Sequence, residues 1–282
     1  MSVSVECCRP LRPRRRRRGP DLEVQYLETA IDLARSAGEV LNHYASRDKL
    51  VEFKGHANLV TVADKKSEEL IIGGILSRYP SHSILAEESG ATQPGAPVQW
   101  IIDPLDGTTN FAHGYPFYCV SIGVEENGEV VCGVVYDPVR DELFSAARGA
   151  GAYCNGERLQ VSNVESLSHA LLITGFPYNF RERLDTVMNQ FRQFMVASQA
   201  VRRGGAAALD LCYVAAGRLD GFWELFLQPW DTAAGRIILE EAGGRVTDFK
   251  DSPFSIYKKE ILASNGRIHG EMIAVLAQLD GN

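Results

Sequence analysis

Apolar positions divide the chain before any chemistry is considered. From Asp21 onward, Leu27, Ala30, Ile31, Ala34, Leu41 and Tyr44 recur at helical spacing, which predicts an amphipathic helix over about 22–46. Residues 48–63 read as a strand–loop–strand region containing Lys54, Gly55 and His56. A second helix is predicted over about 65–78, with Leu70, Ile71, Ile75 and Leu76 on its apolar face and Thr61 or Asp64 as its cap. Tyr79-Pro80 stops it, and residues 83–86 form a short strand leading into Glu87 and Glu88.

The run Trp100, Ile101, Ile102 reads as a buried strand. Asp103 ends it, because Pro104 forbids a continued ladder. Asp106 and Gly107 form a tight turn, and Thr108 opens a helix. Next, the runs 120–125 and 130–136 flank Asn127-Gly128, a strong hairpin signal, and 143–147 and 152–154 continue the pattern to a turn at Asn155-Gly156. One antiparallel sheet is expected from these strands. The second half alternates: strands at 171–174, 221–224, Val246 and 261–263, and helices at about 181–198, 206–217, 231–242 and 267–279. Gly243-Gly244 stops the third of these helices. Such alternation predicts a layered α/β architecture, and no internal repeat is visible.

Composition sharpens this picture in three places. The 282 residues allow one large domain or two intimate ones, with 45% hydrophobic and 23% charged residues. The six Cys have no CxxC pair and no metal spacing, so they read as free thiols of a reducing compartment, and a cytoplasmic location is expected. The six His likewise show no ligand spacing, and no apolar run approaches a membrane span. The formal charge of −7 is uneven: residues 1–20 hold seven Arg and one Glu, leaving 22 bases against 35 acids, or −13, in the remainder. Residues 1–20, with five consecutive Arg between prolines, are expected to form a disordered basic tail ahead of a body at 21–280. The acidic body argues against a general nucleic-acid binder and suits divalent cations.

The chemistry concentrates in Asp103-Pro104-Leu105-Asp106-Gly107-Thr108. Two carboxylates three positions apart on a stiff turn can point at one centre. The Gly107 and Thr108 amides, at a helix start, favour an anion beside it. Hard oxygen ligands beside an anion seat are what a Mg2+-assisted phosphoryl site needs. A plain Asp-Pro and Asp-Gly surface turn is the alternative for these residues in isolation. No Gly-x-Ser-x-Gly or Cys nucleophile motif appears, which argues against a covalent route.

The longer string Asp103-Pro104-Leu105-Asp106-Gly107-Thr108-Thr109-Asn110 resembles the signature of the inositol monophosphatase family of Mg2+-dependent, Li+-sensitive phosphatases. Glu87-Glu88-Ser89 upstream, and Pro229-Trp230-Asp231 with Glu240, Ala242, Gly243 and Gly244 downstream, recur in that family's order, so the likeness spans about 22–280. It implies an αβαβα sandwich whose halves, about 21–160 and 161–280, share one site. It also implies that Glu87, Asp103, the Leu105 carbonyl, Asp106 and Asp231 hold two Mg2+ ions, or three if a weaker position near Lys54 is counted. Glu87 and Thr108 are implied to orient and deprotonate the attacking water. Gly107 and Thr108 would hold phosphate oxygens, with Leu105, Asp106 and Asp231 also against the substrate. Asp64 is implied to support the metal site from behind; its residues read equally as a helix N-cap. Arg202, Gly205, Ala207 and Glu224 fall where the family contacts the polyol, though Glu224 also reads as a surface residue at a strand end. The stretch 202–208 looks closer to bacterial members than to animal ones. A phosphorylated polyol substrate and a homodimer are implied, with no membrane partner.

Inositol 1-phosphate is therefore the expected substrate. Fructose 1,6-bisphosphate, histidinol phosphate or a nucleotide phosphate would use the same metal motifs, because these read phosphate and not the alcohol. A reading of another class is an RNA- or transcription-associated binding protein that uses the Arg tail.

Overall fold

The first amphipathic pattern forms α1 (Pro20–Ala45). A short antiparallel pair, β1 (Val51–Phe53) and β2 (Leu59–Thr61), leads to α2 (Val62–Arg78). Thr61 and Asp64 cap α2 together: the Thr61 hydroxyl accepts the Ala63 and Asp64 amides, and the Asp64 carboxylate accepts the Thr61 amide at 2.8 Å. The computed structural model describes residues 20–45, 51–53, 59–93, 95–177 and 179–278. The arginine run at 14–18 and the loop holding Lys54, Gly55 and His56 lie outside the described residues.

Residues 83–158 build the larger sheet. Its strands are β3 (Ser83–Ala86), β4 (Gly90–Thr92), β5 (Val98–Asp106), β6 (Cys119–Glu126), β7 (Glu129–Asp137), β8 (Glu142–Ala147), β9 (Gly151–Cys154) and β10 (Glu157–Arg158). The order is β10-β9-β8-β7-β6-β5-β3-β4. The strands expected at 120–154 pair antiparallel as the hairpin signals require, and the sheet extends through a parallel β3–β5 pair. Beyond β5 lies a six-residue helix, α3 (Thr108–His113).

The second sheet holds β11 (Leu171–Thr174), β12 (Ala200–Arg203), β13 (Gly221–Leu225), β14 (Arg245–Thr247) and β15 (Glu260–Ser264) in the order β12-β11-β13-β15-β14. The helices among them are α4 (Leu184–Ala197), α5 (Ala207–Ala215), α6 (Pro229–Glu241) and α7 (His269–Ala277). The expected start of α4 near 181 moves to Leu184, because 180–183 form a tighter 3-10 turn.

Strand alternation sorts the side chains into layers. Trp100 and Ile102 of β5 pack toward α1 and α2, whereas Ile101 faces the central core with α5 and α6. In the second sheet Ile173, Phe222 and Ile261 face that same central core, and Leu172, Trp223 and Leu262 pack outward against α4 and α7. The layers are therefore α, β, α, β, α, which is the architecture that the family resemblance implies. Among the described residues no helix is long and apolar enough to cross a membrane.

One expectation is corrected. β5 does not stop at Asp103; it runs through Pro104 to Asp106. Asp103 pairs with Ser121 and Asp106 with Cys119, so 104 and 105 oppose a single residue of β6 in a bulge. Pro104 is tolerated because a bulged position needs no ladder amide.

Candidate active site

The bulge aims both aspartates at one place. Asp103 and Asp106 are buried at the floor of a cavity of about 580 Å3. Each spends one oxygen on a main-chain amide: Asp103 Oδ1 accepts Leu105 N–H at 3.0 Å, and Asp106 Oδ2 accepts Ala208 N–H at 2.7 Å. Gly107 then turns the chain into α3 with φ +92°, and a Cβ there would meet the Phe117 carbonyl oxygen at 2.9 Å. Thr108 is the first residue of α3, and its hydroxyl makes no capping bond. It lies 3.0 Å from the Leu105 carbonyl and 3.2 Å from Asp64 Oδ1.

One face of α2 braces this floor from behind. Asp64, Ser67 and Glu68 stand at helical spacing i, i+3 and i+4 and are all buried. Asp64 meets Thr108, Ser67 Oγ donates to the Pro104 carbonyl at 2.9 Å, and Glu68 Oε2 accepts the Glu88 amide at 2.9 Å. Glu87, whose own amide donates to the Ile102 carbonyl at 3.2 Å, lines the cavity at the turn so held. Asp231 enters from the first turn of α6 and keeps part of its surface open to the cavity. Its Oδ2 accepts the Gln228 amide at 2.6 Å, and Ser121 Oγ of β6 donates to the Trp230 carbonyl at 3.2 Å, which ties α6 to the large sheet.

The electrostatics follow from enclosing these acids together. Burial pushes Asp103 well above the ordinary carboxylate range, and Glu87, Asp106 and Asp231 push it further. Burial, offset by the Ala208 amide and reinforced by Glu87, lifts Asp106 to about 7. Burial and then Asp106 lift Asp231 to about 7. Asp64, desolvated but bonded to Thr61, stands at about 6. Carboxylates that repel one another this way lack a counter-charge, and four acids with one main-chain carbonyl are the donor set of a hard divalent cation. Among the described residues no three acidic, His or Cys side chains already stand close enough together to hold an ion.

The other end of the cavity comes from the second sheet. Glu224, the last buried residue of β13, sits against the bare Cα of Gly175, where a Cβ would come within 2.3 Å of its oxygens. Gly205, Ala206 and Ala207 also line the cavity. Arg203 lines it too, whereas exposed Arg202 lies outside the lining and donates to the Val201 carbonyl. One-residue alternation along β12 explains the exchange. Asp210 of α5 is wholly buried behind this wall with neither oxygen hydrogen-bonded. Burial, Glu224 and Asp106 raise it well above its ordinary value, partly offset by Arg203.

Sequence reasoning missed Ser67, Glu68, Arg203 and Asp210. The first two were detectable as polar residues one turn after Asp64 on the buried face of a predicted helix. Asp210 carried a weaker signal, a lone acid inside a small-residue apolar helix.

Comparison with known proteins gives the family. A model of the inositol monophosphatase family matches residues 23–280. The chain is 46% identical over 254 residues to a protein of Synechocystis sp. named inositol-1-monophosphatase, covering 89% of this chain and 88% of that one. It is 44% identical over 257 residues to Nus factor SuhB of Pseudomonas aeruginosa, covering 89% and 95%. The solved structure of inositol monophosphatase from Anabaena (Nostoc) sp. superposes with a TM-score of 0.84 at 46% identity, covering 90% of this chain and 96% of that one. The chain belongs to the inositol monophosphatase family and is a phosphatase.

Proposed function

We propose that this enzyme is a Mg2+-dependent phosphate monoester hydrolase that cleaves inositol 1-phosphate to inositol and phosphate by direct attack of water. The observation carrying this reading is that Glu87, Asp103, Asp106 and Asp231 line one cavity that has Glu224 at its other end. Glu87, Asp103, Asp106, Asp231 and the Leu105 carbonyl are the residues that would hold the metal. Mg2+, when bound there, supplies positive charge against the phosphoryl oxygens and a more acidic water.

The chain's own residues do the rest. Gly107 and Thr108 line the cavity beside Asp106, where their amides can hold the phosphate. The Thr108 hydroxyl, between the Leu105 carbonyl and Asp64, takes the proton of the attacking water and hands its own to Asp64 Oδ1. Asp64 is suited to receive it, because burial lifts its pKa to about 6 while two bonds from Thr61 fix its other oxygen. Glu224 accepts hydrogen bonds from the hydroxyls of the alcohol.

Phosphate release from inositol 1-phosphate, fructose 1,6-bisphosphate and histidinol phosphate, in Mg2+ and in excess EDTA, tests the reading. Release is expected with Mg2+, fastest from inositol 1-phosphate, and none with EDTA; full turnover in EDTA refutes the metal site. The name Nus factor SuhB among the relatives favours a second reading, association with transcription. RNA binding that weakens with salt and disappears on deleting residues 1–20 would support it.

A further inference from the structure

The wall at the alcohol end hides a second acid behind Glu224. Asp210, in the first turn of α5, is wholly buried, and neither of its oxygens has a hydrogen-bond partner among the described residues. Enclosing a carboxyl without a partner is costly, so its presence there calls for a role.

Two glycines set its neighbourhood. β11 and β12 run parallel, and Thr174 opposite Arg203 is their last pair. Gly175 and Gly204 follow directly, side by side at the ends of the two strands. Each has an acid against its bare Cα. A Cβ on Gly175 would come within 2.3 Å of the Glu224 oxygens, and a Cβ on Gly204 within 2.3 Å of Asp210 Oδ1. Both acids lie on the central face of the second sheet. The Gly204 Cβ would also meet Ile173 at 3.0 Å, and Glu224 stands two residues after Phe222, on the same face of β13. Adjacent strands lie about 4.8 Å apart, so the two carboxyls stand close to one strand spacing from each other, a gap that one water spans.

Charge decides how the pair is used. The Arg203 guanidinium acts on both acids, and burial together with Glu224 raises Asp210 well above its ordinary value. One positive charge does not keep two enclosed carboxylates ionised, so one of them holds a proton. Glu224 lines the cavity and Asp210 does not. The proton therefore rests on Asp210, the member sealed from solvent, and Glu224 is left as the acceptor for hydroxyls. A neutral Asp210 brings an O–H donor to Glu224 from the side away from the cavity.

We propose that Asp210 is a positioning residue: its O–H holds Glu224 from behind, through one water, in the orientation that meets the hydroxyls of the alcohol. The proposal rests on the phosphatase reading above and adds to it a residue that touches neither substrate nor metal.

The test uses full-length wild type, Asp210→Leu, Asp210→Ala, Asp210→Asn, Glu224→Gln and the double variant Asp210→Ala with Glu224→Gln. Leu and Ala both remove the donor, one by filling its space and the other by vacating it; Asn stays neutral and keeps an N–H donor. With Mg2+ and inositol 1-phosphate, Leu and Ala should raise KM about three- to tenfold with kcat close to wild type, and Asn should recover most of the loss. Phenyl phosphate has no further hydroxyl for Glu224, so its KM, or Ki where it is not turned over, should stay at the wild-type value in every Asp210 variant. In the Glu224→Gln background, Asp210→Ala should add nothing, because it acts through Glu224. A merely structural Asp210 would move both esters alike and would add its effect to that of Glu224→Gln. The proposal is overturned by an unchanged KM for inositol 1-phosphate in Leu and Ala, by an equal change for both esters, by an additive double variant, or by failure of both Leu and Ala to fold. Wild type that hydrolyses neither ester would refute the phosphatase reading instead. Calorimetric Kd values for inositol 1-phosphate then decide the proposal, which fails if wild type and Asp210→Ala bind it alike.

Discussion

The two ends of the cavity are built on opposite principles. At the acid-rich end each aspartate ties one oxygen to main chain, Asp103 to Leu105, Asp106 to Ala208 and Asp231 to Gln228, and the Glu87 turn is held by the Ile102 carbonyl and the Glu68 side chain. At the alcohol end, Asp210 has no hydrogen-bond partner among the described residues, and a phenylalanine is held in a strained backbone. The difference matches what each end must do. Charge stabilisation is effective only when the groups are fixed before the reaction, so that end is pinned by secondary structure. Recognition of an alcohol completes its hydrogen bonds only when the alcohol arrives, so that end carries a buried acid without a hydrogen-bond partner.

The sharpest way to break this comparison is to remove a charge from the pinned end. Asp103→Asn keeps shape and takes away the acid on which Glu87, Asp106 and Asp231 all act. It should lower kcat by about a thousandfold while leaving the fold intact. Asp231→Asn should lower kcat severely as well, and the double variant should fall well short of the product of the two, because groups that serve one centre act as a unit. In EDTA the single variants should melt no lower than wild type, since one repelling charge has left a crowded cluster. If these residues only shaped a turn and a helix start, stability would fall by about 0.5–2 kcal/mol with near-normal turnover. Melting curves in EDTA with Mg2+ titrations of activity separate the outcomes.

A smaller effect should come from loosening the pinning itself. Glu68→Ala leaves the Glu88 amide without its acceptor and frees the turn that presents Glu87. The Mg2+ concentration for half-maximal activity should rise about 10- to 100-fold, the usual cost of losing a group that orients a ligand, with kcat at saturating Mg2+ close to wild type. Glu68→Gln retains an acceptor oxygen and should recover most of the loss. Mg2+ titrations of wild type and Glu68→Ala that superimpose would show that the Glu87–Ile102 hydrogen bond alone fixes the turn.

The same contrast explains what the sequence made legible. The periodicities placed the main helices and strands within a few residues, because each buries one face against a neighbouring layer. Asp103 and Asp106 were legible as two acids three apart on a stiff turn, and Glu87 and Asp231 only through the resemblance of their short motifs to those of the family. Residues whose role depends on long-range folding were not. Pro104 suppressed a strand that a bulge rescues, and Arg203 replaced Arg202 at the wall because β12, itself unforeseen, sets which of the two faces the cavity.

The smallest expected effect sets the acid-rich end against a buried histidine in the second sheet, and it turns on sign. In metal-free protein Asp106 and Asp231 stand at about 7, against an ordinary 3.8, and Asp103, Glu224 and Asp210 are raised in the same sense. Between about 4 and 7 the folded chain therefore binds protons that the unfolded chain does not, so acidification through this window stabilises it. His269 behaves oppositely. It is enclosed between Thr247 and Ser264, each 2.8 Å from a ring nitrogen, and burial, then Arg245, pushes it from 6.5 down to about 4. The unfolded chain takes up that proton first, so the stability contributed by neutral His269 is complete above about 6.5 and is lost as pH falls toward 4. In EDTA, acidification from pH 7 to 4.5 should therefore raise the melting temperature of His269→Gln by a few degrees more than that of wild type, whatever the offset between the two at neutral pH. Saturating Mg2+ should reverse the acid-end contribution, because protons then compete with the ion for the same carboxylates and acidification lowers the melting temperature. Melting temperatures of the two proteins in EDTA that run parallel across the window would mean that His269 is protonated in the folded chain. An unchanged pH slope on adding Mg2+ would mean that the four acids do not hold the ion.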